Sequence, residues 1–242
     1  MHFGALGDIH GDFETVRRIM RRHPDVPFWI CVGDLADEAG CYEAVDAPLY
    51  WIKGNNENFD LIAAGAFPEH LYYLANAQPV ELSGVTVVGL GGTLAPTFYD
   101  TPAADLPFPG MMRSNSATAP AARAKLRGGE APRAQREDRR RHFVRDEVEA
   151  CKALRGIDVF MTHEAPRPYV VGGRAGRRGI DAGKTPVNEI LAAMGPRLHL
   201  FGHHHRFTDE VRQGVRSVGL DLVSKSFVLL DAGSLDLAVH NS

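Results

Sequence analysis

Five short runs of strand-type residues in this 242-residue chain end in the same way, on a turn that carries metal-ligand side chains. The turns are Gly7-Asp8-Ile9-His10-Gly11, Gly33-Asp34-Leu35-Ala36-Asp37, Gly54-Asn55-Asn56-Glu57, Thr162-His163-Glu164 and Gly202-His203-His204-His205. Glycine precedes the ligand type in four of the five, as expected where a strand turns sharply to bring side chains against a ligand. Open α/β sheets place their sites beyond the carboxyl ends of their strands, so clusters repeated there constrain fold and chemistry together. A single Gly-Asp pair is an ordinary turn; five clusters at equivalent topological positions make coincidence a poor explanation.

The intervening sequence fits an alternating α/β architecture. Strands are expected over 2–6, 26–32, 49–53, 157–162, 198–201, 208–218 and 226–230, with a hairpin over 80–90 that turns at Ser83-Gly84. Asp12 is placed to cap a helix in which Val16, Ile19, Met20 and His23 share one face, until Pro24 stops it. Further helices are expected over 59–66, along the Val144, Val148, Cys151 and Leu154 stripe, and from Thr185-Pro186 to Gly195. In the last of these Thr185 reads as N-cap, Pro186 as first-turn proline and Gly195 as the stop. The rhythm breaks from Gly91 to about Pro132, where Pro96, Pro102, Pro107 and Pro109 interrupt regular elements and Ala/Arg/Gly-rich sequence follows. One domain spanning 1–242 is expected, carrying a Pro/Arg-rich insertion at about 93–145.

Composition narrows the class. With 44% hydrophobic and 24% charged residues the chain can bury one sizeable core. Its 27 basic and 30 acidic residues leave a formal charge of -3, so no overall field advertises a polyanionic partner. Cys31, Cys41 and Cys151 form no CxxC pair, which fits neither a disulfide framework nor a zinc ribbon. No run approaches the roughly 18 apolar residues of a membrane span, and His2 and Asp8 stand where a secretory leader would be apolar. A soluble, cytoplasmic protein without a membrane partner is expected.

The turns offer carboxylates, an amide oxygen and imidazoles but no thiolate, a set that suits borderline divalent ions such as Mn, Fe, Zn, Co or Ni. In an extended segment His203 and His205 would share one face and His204 the other, so His204 is read as a non-ligand; Asp8 and His10 have the same i, i+2 relation. Asp12 and Asp37 are either partners of ligand histidines or a helix cap and a turn residue. In order and spacing, from Asp8 to His205, the turns resemble the calcineurin-like metallophosphoesterase superfamily, whose pattern runs G-D-x-H, G-D-x-x-D, G-N-H-D/E, a lone His and G-H-x-H. The resemblance implies a four-layer α/β/β/α sandwich of two mixed β-sheets flanked by helices. It also implies two divalent metal ions at one sheet edge, with manganese first among the candidates. Asp8, His10, Asp34 and His205 would hold one ion, and Asp34, Asn55, His163 and His203 the other, with Asp34 bridging. The implied activity is hydrolysis of phosphate esters by hydroxide formed from a metal-bridging water, with the ions offsetting charge on the phosphoryl group.

Two departures from that pattern refine the expectation. The family's third motif usually places histidine after the asparagine, whereas here the residue is Asn56. An amide donates a hydrogen bond but releases no proton near neutral pH, so a general-acid contribution of about 10²- to 10⁴-fold is missing from that position. Asp34, Asn55, Asn56 and His204 remain as candidate catalytic residues, with His204 or water left to donate to the leaving group. Glu38 stands where the branch containing Ser/Thr protein phosphatases has an arginine that grips phosphate, so the chain looks more like the bacterial phosphodiesterases of the superfamily. The substrate expected is a phosphorylated small molecule, nucleotide, cyclic nucleotide or nucleic acid; a phosphomonoesterase is the alternative, and a non-catalytic scaffold of the same fold ranks below both. Arg123, Lys125, Arg127, Arg133 and Arg139 to Arg141, with Arg174, Arg177, Arg178 and Lys184, would form either a phosphate-binding lid or groove or simply a solvated surface. For the Arg/Ala/Gly stretch the solvated reading is favoured, because it offers no stacking platform for bases, although Phe98, Tyr99 and Phe108 precede it.

Overall fold

The computed structural model describes residues 1–102, 138–172 and 179–242. Its layers follow from the period of two along a strand. In β1 (His2–Leu6), Phe3 and Ala5 pack into an apolar interior between two sheets, while Leu6 packs on the opposite face against helices. In β2 (Trp29–Cys31), Ile30 faces the inter-sheet interior and Trp29 and Cys31 face outward. The same partition holds across the second sheet: in β9 (Val159–Thr162), Val159 and Met161 point between the sheets and Phe160 points to the helices beyond.

The first sheet runs in the order β16 (Leu237–Asn241), β15 (Ser226–Asp231), β1, β2, β3 (Leu49–Trp51), β4 (Leu71–Tyr73). The second runs β13 (Thr208–Arg212), β14 (Val215–Gly219), β12 (Leu198–Phe201), β9, β6 (Val85–Leu90), β5 (Val80–Leu82). Strands β1 to β4 are mutually parallel, as are β6, β9, β12 and β14, and antiparallel strands complete both sheets. Helices α1 (Phe13–Arg22) and α2 (Phe59–Ala64) cover the first sheet, and α3 (Arg145–Ala153) and α4 (Thr185–Met194) cover the second. This is the expected four-layer α/β/β/α sandwich of two mixed sheets. Two small pairs are appended to it, β7 (Thr93–Leu94) with β8 (His142–Phe143) and β10 (Val170–Val171) with β11 (Ile180–Asp181).

Several elements differ from expectation. The segment 208–218 is a hairpin, because Gln213 and Gly214 both take positive φ (51° and 78°) and turn the chain in the two-residue manner that matches strand twist. Strands β4 and β16 were not expected: β4 is three residues long and β16 is a largely solvated edge strand, so neither carries a clear alternating pattern. Helix α4 starts one residue early, with Lys184 rather than Thr185 at the N-cap, and Pro186 still falls in the first turn where no N–H is needed. Asp12 does cap α1, accepting from the Thr15 N–H at 3.2 Å. Of the basic and aromatic residues singled out for a lid, Arg123, Lys125, Arg127, Arg133, Arg174, Arg177, Arg178 and Phe108 lie outside the described residues.

Candidate metal centre

All five ligand-bearing turns leave the carboxyl ends of parallel strands, namely β1, β2, β3, β9 and β12, so the two sheets bring them to one shared edge. Backbone hydrogen bonds tie the turns together: the Ile9 and His10 N–H groups both donate to the Asp34 carbonyl, at 3.0 and 2.8 Å, and Gly11 N–H donates to Leu35 O at 3.0 Å. Close approach explains two of the glycines. A Cβ at Gly54 would lie 2.0 Å from Asp34 Oδ1, and one at Gly202 would lie 2.4 Å from Asp8 Oδ1. His10, Asp34, His203 and His205 all have positive φ, between 47° and 69°. Non-glycine residues rarely adopt this conformation, and four of them at one edge concentrate backbone strain where side chains must be aimed. The expected extended run through His203, His204 and His205 is therefore not observed; left-handed residues at both ends of that turn, rather than strand alternation, send His203 and His205 to different groups, and the His203 and His204 rings stay in edge contact with centroids 4.9 Å apart.

The structure brings the expected ligand residues together as two groups. The first contains Asp8, His10 and His205. His205 Nε2 is 3.0 Å from Asp8 Oδ2 and 3.1 Å from His10 Nε2. The Asp8 carboxylate is oriented by the His203 N–H, which donates to Oδ2 at 2.9 Å. The hydrogen bond to Asp8 raises the His205 pKa against the opposing effect of burial.

The second group contains Asp34, His163 and His203. His163 is fully buried, and its Nδ1–H donates to the Val32 carbonyl at 2.9 Å, which leaves Nε2 as the ligand atom. Nε2 lies 3.1 Å from Asn55 Oδ1 and 3.5 Å from Asp34 Oδ1. The other oxygen of Asp34, Oδ2, is 3.7 Å from His10 Nε2, so this one carboxylate turns an oxygen toward each group. Burial alone would raise the Asp34 pKa, but His163, the Asn56 N–H and His10 outweigh it and hold the carboxyl below its usual range. Burial, with His163 and His204 nearby, pushes His203 down to about 3.

Residues of the same turns that do not join these groups have other work. Asn56 donates twice to Asp34, through its backbone N–H to Oδ1 at 2.8 Å and its side-chain amide to Oδ2 at 2.9 Å, so it orients the shared carboxylate. Glu57 is fully buried and accepts from the N–H groups of Leu35, Ala36 and Gly54 and from the Tyr42 hydroxyl, stapling two turns together. Burial and the Asp34 charge push its carboxyl up to about 8. Sequence reasoning missed this role; an acidic residue beside an otherwise ligand-rich turn was the only signal. Glu164 accepts from Leu94 N–H at 3.2 Å, and Asp37 accepts from Ala39 and Cys41 N–H as a turn residue. His204 stacks on Tyr169 with centroids 4.4 Å apart, and burial lowers its pKa to about 4. Lys53, also unforeseen, donates to the carbonyls of Arg140 and His142 at 2.8 and 3.1 Å, pinning the return of the 93–145 segment beside the Gly54 turn.

The donor set fits divalent cations. Asp34 Oδ1, Asn55 Oδ1 and His163 Nε2 direct lone pairs toward one another, and His10 and His205 do the same beside Asp8. Such converging acceptors require a cation or extra protons between them. Mixed oxygen and imidazole ligation without thiolate selects borderline metals over a structural zinc.

Comparison with known proteins bears on the family and the fold. The model of the calcineurin-like phosphoesterase family matches residues 1–207. An uncharacterized protein of Haemophilus influenzae is 22% identical over 205 residues, covering 82% of this chain and 81% of its own. The crystal structure of TT1561 of Thermus thermophilus superposes with a TM-score of 0.58 at 14% identity, covering 99% of this chain and 98% of that one. GAP50, the anchor in the inner membrane complex of Plasmodium, gives a TM-score of 0.51 at 10% identity over 100% of this chain and 88% of its own. At these identities the two structures share the fold with this chain. Among the described residues no helix is long and apolar enough to cross a membrane.

Proposed function

Because the chain belongs to the calcineurin-like phosphoesterase family, we propose that it is a metal-dependent phosphodiesterase acting on nucleotides, cyclic nucleotides or nucleic acid. The observation that carries this reading is the shared carboxylate: Asp34 offers Oδ2 to the His10 side, at 3.7 Å, and Oδ1 to the His163 side, at 3.5 Å. Asp8, His10, Asp34 and His205 would hold one divalent ion, and Asp34, Asn55, His163 and His203 the other, manganese being the first candidate. When bound, two such ions supply Lewis acidity to phosphoryl oxygens and acidify water at neutral pH.

The chain's own residues do the positioning. Asn56 and the Asn56 N–H hold both oxygens of Asp34, and Val32 O fixes the His163 ring so that Nε2 faces the site. With its amide engaged on Asp34, Asn56 neither donates a proton nor turns toward a leaving group, so esters with leaving groups of low pKa are favoured. The diester preference is supported by the resemblance carried by Asn56 and Glu38.

The test is a comparison of bis-aryl and mono-aryl phosphates on manganese-loaded protein, extended to 2′,3′- and 3′,5′-cyclic nucleotides and single-stranded nucleic acid. The expected result is a higher kcat/KM on diesters and a loss on the order of 10²- to 10³-fold in Asp34→Ala, the scale of losing a central electrostatic stabiliser. A protein that binds two ions and hydrolyses neither ester class overturns the reading, and a preference for monoesters by orders of magnitude replaces it with a phosphomonoesterase.

A further inference from the structure

Two lysines stand beside the buried ligand group, and they are used differently. Lys53 is 8% exposed and donates to two carbonyl oxygens. Lys184, at the start of α4, keeps a side chain that is 26% exposed, and its carboxylate neighbour, Glu164 Oε2, is 3.5 Å away. That spacing is long against the roughly 2.7–2.9 Å of a charge-assisted bond, and an ammonium has three protons to place. Glu164 directly follows His163, and the Lys184 backbone N–H donates to Ala165 O at 2.9 Å, so the lysine lies against the turn that carries this histidine. The wall behind it is polar: Glu164 is only 2% exposed and has this ammonium against Oε2, and His204 Nε2 on the adjoining turn is buried without a hydrogen-bond partner.

Building on the phosphoesterase reading above, we propose that Lys184 is a phosphate-binding residue whose ammonium takes a non-bridging phosphoryl oxygen of the substrate beside the Asp34, Asn55, His163 and His203 group, with Glu164 positioning it from behind. Glu164 is a buried carboxylate outside both ligand groups, so a cation beside it offsets its charge, and the ammonium protons that do not face Glu164 are left to meet a phosphoryl oxygen. Glu164 is itself anchored by Leu94 N–H, at the root of the 93–145 segment, which fixes where the ammonium can stand. The rival role is charge compensation alone, with Lys184 present only to neutralise Glu164.

Three variants separate the two roles: Lys184→Gln, the double variant Glu164→Gln/Lys184→Gln, and Lys184→Arg. The double variant leaves no uncompensated buried charge, so it folds even where the single one is destabilised. Inorganic phosphate binding is measured by calorimetry on the manganese-loaded proteins, alongside metal stoichiometry and steady-state hydrolysis of a bis-aryl phosphate. The expected result is phosphate binding weakened by about 10- to 100-fold in both Lys184→Gln proteins, the scale of one charged hydrogen bond. Two bound ions should be retained, the kinetic loss should fall mainly on KM, and Lys184→Arg should show partial rescue. Phosphate affinity in the double variant within twofold of wild type overturns the proposal while leaving the phosphoesterase reading intact. A wild-type protein that neither binds phosphate nor hydrolyses the ester overturns both.

Discussion

The two ligand groups flank Asp34, 3.7 Å from His10 and 3.5 Å from His163, and their histidines are held in different ways. In the first, His10 and His205 are 33% and 40% exposed and contact each other and a carboxylate. In the second, His163 is inaccessible and hydrogen-bonded to a backbone carbonyl, and the turns around it are stapled by buried Glu57. A ligand held by packing and backbone is pre-aimed, whereas one at the rim depends on its neighbours and on solvent. The difference predicts a tightly organised inner position and an outer one that exchanges its ion more readily.

The sharpest way to break that comparison is to remove one histidine from each group. His163→Ala opens a cavity and leaves the Val32 carbonyl unpaired, so the metal-free protein should lose about 2–4 kcal/mol in urea denaturation. His205→Ala should stay within about 0.5 kcal/mol. Metal titration should find each variant one ion short; equal losses of stability would mean that the groups are equivalent after all.

Glu57→Gln sharpens the comparison without touching a ligand. An amide cannot accept from every donor now facing the carboxylate, so stability should fall by about 1–3 kcal/mol, and affinity at the inner position by about 10- to 100-fold. In a two-step metal titration only one step should move, and a uniform shift of both steps would remove the distinction.

A last effect, seen only as pH falls, concerns the layer beneath the inner group. His199 is fully buried between the Thr162 hydroxyl, at 2.8 Å, and the Ser217 hydroxyl, at 3.1 Å, and burial lowers its pKa from 6.5 to about 3. Below 6.5 the unfolded chain takes up a proton that the fold refuses. The contribution is therefore present at neutral pH and declines as pH falls, by about 1.4 kcal/mol per unit. His199→Gln should flatten the stability profile of the metal-free protein between about pH 6 and about pH 4. An unchanged slope would show that His199 is not the group that titrates.

Most of the frame was readable in advance because it is local. The apolar runs of β1, β9 and β12, the Asp12 cap and the glycine-led turns are set by neighbouring residues. Edge strands β4 and β16 were not readable, since strands that bury little show little pattern. Within the site, Glu57 and Glu164 looked like ligand types but have their oxygens engaged elsewhere, and Asn56 looked like a substitute donor but is bonded to Asp34. Nothing in a turn's own sequence distinguishes a carboxylate that will meet a neighbouring N–H from one that will not.

The amino-acid sequence by itself determined the layered α/β architecture and the identity and order of the residues at its active edge, because both follow from short-range patterns of polarity and turn chemistry. Only the tertiary structure decided which atoms converge, which carboxylates are diverted and which ligand group is buried. Those outcomes depend on contacts such as His163 with Val32, 131 positions apart, and on the enclosure that two packed sheets create around them.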